Sequence, residues 1–195
     1  MDPMEIKQQN ITVPETKAKK KISLGWIAAF AALGLLLLLM GLGLRRAQER
    51  GTPKAIGSEM PDFSLTSFDG QSNKLSDLRG KVVLINFWAS WCKPCVQEAA
   101  DMERAWRLYQ PGGEVVFLGI DWTDTEPKAL AYLEKFGITY PNGPDLGTRI
   151  SQAYRTTGVP ETYILDRDGR LAYVKLSPFN SLAEIQAAID PLLEK

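Results

Sequence analysis

The sequence predicts an α/β domain, a central mixed sheet flanked by helices with an N-terminal hairpin, preceded by one transmembrane helix. Three observations carry this. No charged residue occurs from Ile22 to Leu44. Downstream, apolar runs of strand length alternate with segments of helical periodicity. The two cysteines of the chain both fall in Trp91-Cys92-Lys93-Pro94-Cys95, between such a strand and such a helix.

The length of 195 residues accommodates one domain of common size and an appendage. Lys and Arg, 23 in all, balance 23 Asp and Glu, so no whole-chain field draws in nucleic acid. Two cysteines exclude a disulfide-stapled scaffold. The absence of histidine removes the commonest general base and the commonest metal ligand together. Chemistry in this chain must therefore run on thiols, carboxylates and lysines.

Residues 1–21 are polar and end in Lys17, Lys19, Lys20 and Lys21, the composition of a disordered tail. Residues 22–44, about 23 in number at ~1.5 Å rise, span about 34 Å, enough for a transmembrane helix. A cleaved signal has a shorter apolar core of about 7–15 residues, and no small-x-small site precedes Arg45-Arg46. No cysteine stands near the end of the span to accept lipid. The lysines on one side nearly balance Arg45, Arg46, Arg50 and Lys54 on the other; Lys19 to Lys21, abutting the span, favour a cytoplasmic N-terminus. The expected location is therefore the cytoplasmic membrane, single-pass, with the cysteine pair on the oxidising, extracytoplasmic side. Residues 45–56 form a polar tether and 57–195 the α/β domain.

Within that domain Phe63, Leu65 and the turn Asp69-Gly70 predict a small hairpin, and Leu75 to Leu78 a helical turn before Gly80. Val82 to Trp88, apolar almost throughout, predicts a strand covered on both faces. Val96, Ala99, Met102, Ala105, Trp106 and Tyr109 recur at helical spacing until Pro111-Gly112-Gly113. Glu114 to Ile120 is a second buried strand. Pro127 to Phe136 is a helix with Leu130, Tyr132, Leu133 and Phe136 inward, and Asp145 to Tyr154 a shorter one. Thr162 to Leu165, a turn at Asp166-Arg167-Asp168-Gly169 and Leu171 to Leu176 predict an antiparallel hairpin. Leu182 to Leu193 closes the chain as an amphipathic helix that Pro191 is expected to fray.

A CxxC that follows a buried strand and opens a helix puts its first sulfur at the helix N-terminus, where free N–H groups and the macrodipole stabilise a thiolate. Two intervening residues bring the second sulfur within one turn, able to attack a mixed disulfide made by the first. Cys92 is thus the expected attacker, held accessible, and Cys95 the resolver. Lys93 adds a positive charge beside Cys92, and Pro94 sits in the first turn, where its missing N–H costs little. A structural zinc site needs four Cys or His ligands, and this chain offers two. A purely structural disulfide closing so short a loop constrains little of the unfolded chain. The expected cofactor is none beyond the redox-active pair itself.

The segment Phe87-Trp88-Ala89-Ser90-Trp91-Cys92-Lys93-Pro94-Cys95 resembles the active-site segment of the membrane-anchored thioredoxin-like proteins known as ResA, TlpA and CcmG, the last also called DsbE. The resemblance covers roughly Ile56 to Lys195 and includes the N-terminal hairpin, a central insertion around Asp121 to Tyr154 and Val159-Pro160-Glu161-Thr162. It implies a thioredoxin-like fold and a cis-proline at Pro160 that lies against the CxxC and helps dock an extended substrate. On residues alone a trans proline at a strand start is the default.

Asn86 stands where thioredoxins carry a buried aspartate, and an amide cannot titrate. Proton transfer to and from Cys95 must then go elsewhere, and Glu98, three residues after Cys95 on the predicted helix, lies within reach of it. ResA-like proteins carry an acid there, and CcmG-like proteins a glutamate matched here by Glu161. The resemblance thus implies a catalytic proton-transfer role for Glu98 or Glu161 and places Glu161 with Trp91 and Pro160 on the substrate-binding surface. On residues alone Glu98 is an exposed helix carboxylate. Trp88 is expected in the core and Trp91 on the contact surface. Asp121 and Asp124 receive no role.

The function implied is a membrane-tethered thiol-disulfide oxidoreductase, a reductant of protein disulfides in cytochrome c maturation. Its implied partners are apocytochrome c and a membrane dithiol donor of the CcdA or DsbD type; the chain is expected to be a monomer. Three alternatives stand beside it. A thiol peroxidase of peroxiredoxin type places Pro and Thr seven and three residues before its cysteine, where this chain has Ile85 and Ala89. A tethered assembly factor binding extended segments needs neither cysteine. A broad oxidant of the DsbA type needs only a different potential.

Overall fold

The computed structural model describes residues 24–50 and 55–194. The tail expected over 1–21 lies outside the described residues. The chain divides into an N-terminal unit ending at Arg46 and a second unit from Ala47 onward.

Helix α1 spans Leu24–Arg50, past the expected end at Leu44. Leu33, Leu35 to Leu39, Met40 and Leu42 are each exposed by half or more. Among the described residues no helix is long and apolar enough to cross a membrane; the side chains at both ends of the expected span, 22–44, lie outside those described.

The second unit opens with the hairpin of β1 (Ser64–Thr66) and β2 (Ser72–Lys74), followed by a 3-10 turn at Leu75–Leu78. Then come β3 (Val82–Trp88), α2 (Lys93–Tyr109), β4 (Val115–Asp121) and α3 (Glu126–Phe136). They are followed by β5 (Asn142–Pro144), α4 (Arg149–Tyr154), β6 (Glu161–Leu165), β7 (Leu171–Lys175) and α5 (Leu182–Leu193). The sheet order is β5-β4-β3-β6-β7. β3, β4 and β5 run parallel, and β6 and β7 are antiparallel to their neighbours.

β3 lies at the centre of the sheet and all seven of its residues are buried. Strand alternation sorts them between two layers. Val83, Ile85 and Phe87 pack with Leu65 of the hairpin, Ile150 and Tyr154 of α4, and Tyr163. Val82 and Leu84 face Met102, Ala105 and Trp106 of α2 and Ile185 and Ile189 of α5. Beyond them on that second face, Trp88 and Ala89 meet Cys92, Cys95 and Ala99 of the α2 region and Ala129 and Tyr132 of α3.

Several expectations change here. Leu130 is 43% exposed, because the packed face of α3 is made by Ala129, Tyr132, Leu133 and Phe136, of which the last three were expected. Val96, counted on the inward face of its helix, is 40% exposed beside the cysteines. The three-residue strand β5 was not expected: three residues carry no period. The helix expected over Asp145 to Tyr154 is split, since Gly147 adopts φ 69° inside a 3-10 turn and α4 proper begins at Arg149. The Asp145 carboxylate accepts the Ile150 and Ser151 N–H groups and so caps that short helix. α5 runs through Pro191 to Leu193 without ending.

Candidate active site

The site is built where the C-terminal end of β3 turns into α2. Cys92 N–H donates to Ala89 O at 3.1 Å, closing the turn. Cys92 is the N-cap of α2, and its Sγ accepts the Cys95 N–H at 3.1 Å. Backbone donors at a helix start have no partner within the helix, so a sulfur in this place is the acceptor they need. The same geometry favours a negative sulfur once the pair is reduced. Cys92 and Cys95 form a disulfide. Pro94 occupies the first turn of α2.

The attacking sulfur was expected to be open to solvent; in the disulfide form Cys92 is 3% exposed and Cys95 1%. Exposed Trp91, Lys93 and Pro94 surround Cys92, so it sits immediately under the surface and not within a sealed core. Trp91 is 55% exposed, its indole N–H donates to Thr123 O at 3.3 Å, and its ring lies 6.3 Å from that of Trp122. Trp88 is in the core, as expected, stacked on Tyr132 with its N–H donating to Asn142 Oδ1.

The peptide bond between Val159 and Pro160 is cis. Pro160 is buried, and Val159 packs on the cluster that contains both cysteines.

Glu98 is 2% exposed, not the solvated helix carboxylate that its residue type suggests. Its Oε1 accepts from Asn86 Nδ2 and its Oε2 from the Phe179 N–H, each at 2.9 Å. The other proton of that amide goes to Thr162 Oγ1 at 3.0 Å. Burial pushes the Glu98 carboxyl up to about 7, against the opposing pull of the Phe179 and Asn86 hydrogen bonds and of Lys175. Three residues along α2 from Cys95, it is a buried acid that exchanges its proton near neutral pH.

Glu161, expected on the substrate-binding surface, is 3% exposed and turned inward. Its Oε1 accepts from Thr157 N, Thr157 Oγ1 and Gly158 N, and its Oε2 from the Tyr163 hydroxyl. The loop leading to Pro160 is held by this carboxylate, so Glu161 is a positioning residue without a free oxygen for substrate. The strand periodicity of the segment gave no sign of this.

Sequence reasoning passed over three further participants. The Tyr132 hydroxyl donates to Cys95 O at 3.0 Å. Thr162 and Phe179 complete the hydrogen bonds of the Asn86–Glu98 pair from β6 and from the segment before α5. These contacts join residues far apart in the chain, and no local pattern marks them. Among the described residues no group of three or more Cys, His, Asp or Glu could hold a metal ion.

A sheet of this order, with a disulfide capping the helix after the central strand and a cis-proline beside it, defines a thioredoxin-like redox domain. The chain belongs to the AhpC/TSA family, whose match covers residues 56–174. The thiol-disulfide oxidoreductase ResA of Geobacillus thermodenitrificans is 36% identical over 140 residues, 70% of this chain and 80% of that protein. The thioredoxin-like protein YneN of Bacillus subtilis is 34% identical over 149 residues, 74% of this chain and 85% of its own. In structure, a thiol:disulfide interchange protein of the thioredoxin family from Chlorobium tepidum superposes with a TM-score of 0.65 at 27% identity, covering 72% of this chain and 99% of that one. The chain is accordingly a thiol-disulfide oxidoreductase of the ResA and DsbE type, acting through Cys92 and Cys95. At the positions where a peroxidase needs its Pro and Thr, Ile85 and Ala89 are fully buried and apolar.

Proposed function

We propose that this protein is a membrane-tethered reductant of protein disulfides, serving cytochrome c maturation on the extracytoplasmic side of the cytoplasmic membrane. The single observation that carries the redox reading is the disulfide at the start of α2 with a buried carboxyl, Glu98, one turn behind it. The resemblance to ResA-, TlpA- and CcmG-type proteins supports the cytochrome pathway, with apocytochrome c as substrate and a CcdA- or DsbD-type dithiol as donor. The uncharged stretch 22–44 supports the tether. So does the run of exposed Leu and Met side chains along α1, a surface that water disfavours.

The reaction balances with the pair alone. The Cys92 thiolate attacks one sulfur of a substrate disulfide; that S–S bond breaks and the departing substrate thiolate takes a proton from water. Cys95 gives its proton to ionised Glu98 and attacks the Cys92 sulfur. The Cys92–Cys95 bond forms and the second substrate thiolate leaves, protonated in turn from Glu98 or water. The substrate gains two electrons and two protons, which the donor dithiol later restores to the pair.

Cys95→Ser traps a mixed disulfide between Cys92 and a CxxC peptide, whereas Cys92→Ser forms none and loses insulin reduction. Equal activity of Cys92→Ser and wild type ends the redox reading. For the tether, a membrane-impermeant maleimide labels the reduced cysteines in intact cells, and protection from it in the membrane fraction argues against the proposed orientation. Titration against glutathione separates a reductant from a DsbA-like oxidant.

A further inference from the structure

Asp124 has no part in the chemistry above, yet it is tied directly to the turn that carries the attacking sulfur. Its Oδ2 accepts the Ser90 N–H at 2.6 Å, and its Oδ1 the Thr125 N–H at 2.7 Å. On either side of that bond the same two segments meet again. Trp122 N–H donates to Trp88 O at 2.8 Å, and the Trp91 indole donates to Thr123 O. Trp88, Ser90 and Trp91 are therefore each fastened to the stretch 122–124. Thr123 adopts φ 52°, a left-handed conformation that a β-branched residue takes at a cost. The strain is local to the residue that precedes Asp124, and the bond to Ser90 is among the contacts that hold it.

We infer that Asp124 is a positioning residue for the attacking cysteine: its carboxylate latches Ser90, fixes the turn into Cys92, and sets beside that turn a negative charge that disfavours the Cys92 thiolate. Ser90 is two residues from Cys92, and the Cys92 N–H to Ala89 O bond folds the chain between them into one turn. Both carboxylate oxygens are engaged by donors, the arrangement that keeps an aspartate ionised. Burial works against ionisation here, but the hydrogen bonds from Ser90 and Thr125 and the charge of Lys128 hold the Asp124 carboxyl below its usual range. The charged groups that interact with Asp124 are Asp121 at the end of β4 and Lys128 on α3, while Lys93 follows Cys92 directly at the start of α2. Asp121 is 3% exposed and is pushed up to about 7 by its burial and by Asp124, so at neutral pH it adds only part of a charge. Lys93 pulls the other way. A fixed carboxylate near the nucleophile stabilises the disulfide relative to the ionised dithiol, which makes the reduced pair the stronger reductant.

The test uses the full chain. Asp124→Asn removes the charge while keeping size and one acceptor, Asp124→Glu keeps the charge, and Glu126→Gln is a nearby neutralisation outside the latch. The equilibrium with reduced and oxidised glutathione and the pH dependence of Cys92 alkylation by iodoacetamide are measured for each. Asp124→Asn is expected to move the equilibrium about tenfold toward the dithiol, about 30 mV for this two-electron couple. The alkylation midpoint is expected to fall by about one pH unit. Asp124→Glu lies between wild type and Asp124→Asn, and Glu126→Gln matches wild type. Values for Asp124→Asn equal to those of Glu126→Gln overturn the assignment, whatever the thermal stabilities; so does an Asp124→Glu that shifts as far as Asp124→Asn. Should Asp124→Asn not fold, Asp124→Glu against wild type and the screening of the wild-type midpoint by salt decide, and a midpoint insensitive to salt counts against the charge.

Discussion

Asn86 and Glu98 are joined by a buried hydrogen bond, the Asn86 amide donating to Glu98 Oε1 at 2.9 Å between the central strand and the helix that the disulfide caps. The acid that thioredoxins place on the central strand is replaced here by an amide, and the titrating group is carried by the helix instead. Asn86 supplies the donors, one to Glu98 and one to Thr162, and Glu98, pushed up to about 7 by its burial, is the member of the pair that titrates.

Glu98 makes stability depend on pH. Its ordinary value is 4.5 and its folded value about 7, so the folded state holds the proton more tightly. The stabilisation is complete below 4.5 and is lost as pH rises through 7, a swing of at most about 3 kcal/mol. Asp121, raised from 3.8 to about 7, acts in the same direction. Denaturant unfolding of the wild type is expected to show lower stability at pH 8 than at pH 5, with Glu98→Gln flattening part of the slope. A slope unchanged in Glu98→Gln contradicts this account.

Removing the amide exposes what it satisfies. Asn86→Ala leaves Glu98 Oε1 and Thr162 Oγ1 without that donor in a buried site, at a cost of about 1–3 kcal/mol, read as a lower urea midpoint. Loss of a bond that lowers the Glu98 pKa also moves the pH optimum of disulfide exchange upward. Asn86→Asp sets two carboxyls against one another, and is expected to be destabilised chiefly above pH 7.

Glu161 is expected to act through the Pro160 loop and not through substrate contact. Glu161→Ala removes the acceptor for three donors at Thr157 and Gly158, and the predicted loss is about 2–4 kcal/mol. Amide hydrogen exchange at Thr157 and Gly158 should speed up while that of β3 changes only with global stability. KM for a CxxC peptide should rise more than kcat falls.

The hairpin docks on the sheet through a glycine. A Cβ at Gly143 would meet Thr66 O at 2.3 Å, a backbone atom that cannot swing aside. Gly143→Ala is therefore expected to cost about 1–3 kcal/mol or more and to loosen β1 and β2, with faster proteolysis of the hairpin as the measurement.

Periodicity and chain punctuation made most elements legible. The turn at Leu75–Leu78, the buried strand Val82–Trp88 and the helix Leu182–Leu193 fall where the residues predict them, because each is long enough, or sharply enough bounded, to carry its own pattern. β5 carries none: its three residues become a strand only because β4 offers an open edge. Val96 and Leu130 have the residue type of core but not the position, since which face of a helix is inward depends on what packs there.

The cysteine pair was legible for the same local reason, as helix-capping chemistry needs only neighbours within one turn. What each nearby acid does was not. Glu98 and Glu161 are alike in residue type, but the first is buried one turn after Cys95, where desolvation alters its titration. The second is wholly engaged in holding a loop. Hydrogen bonding and dielectric are set by residues as distant as Phe179, so only folding decides what each carboxylate can do.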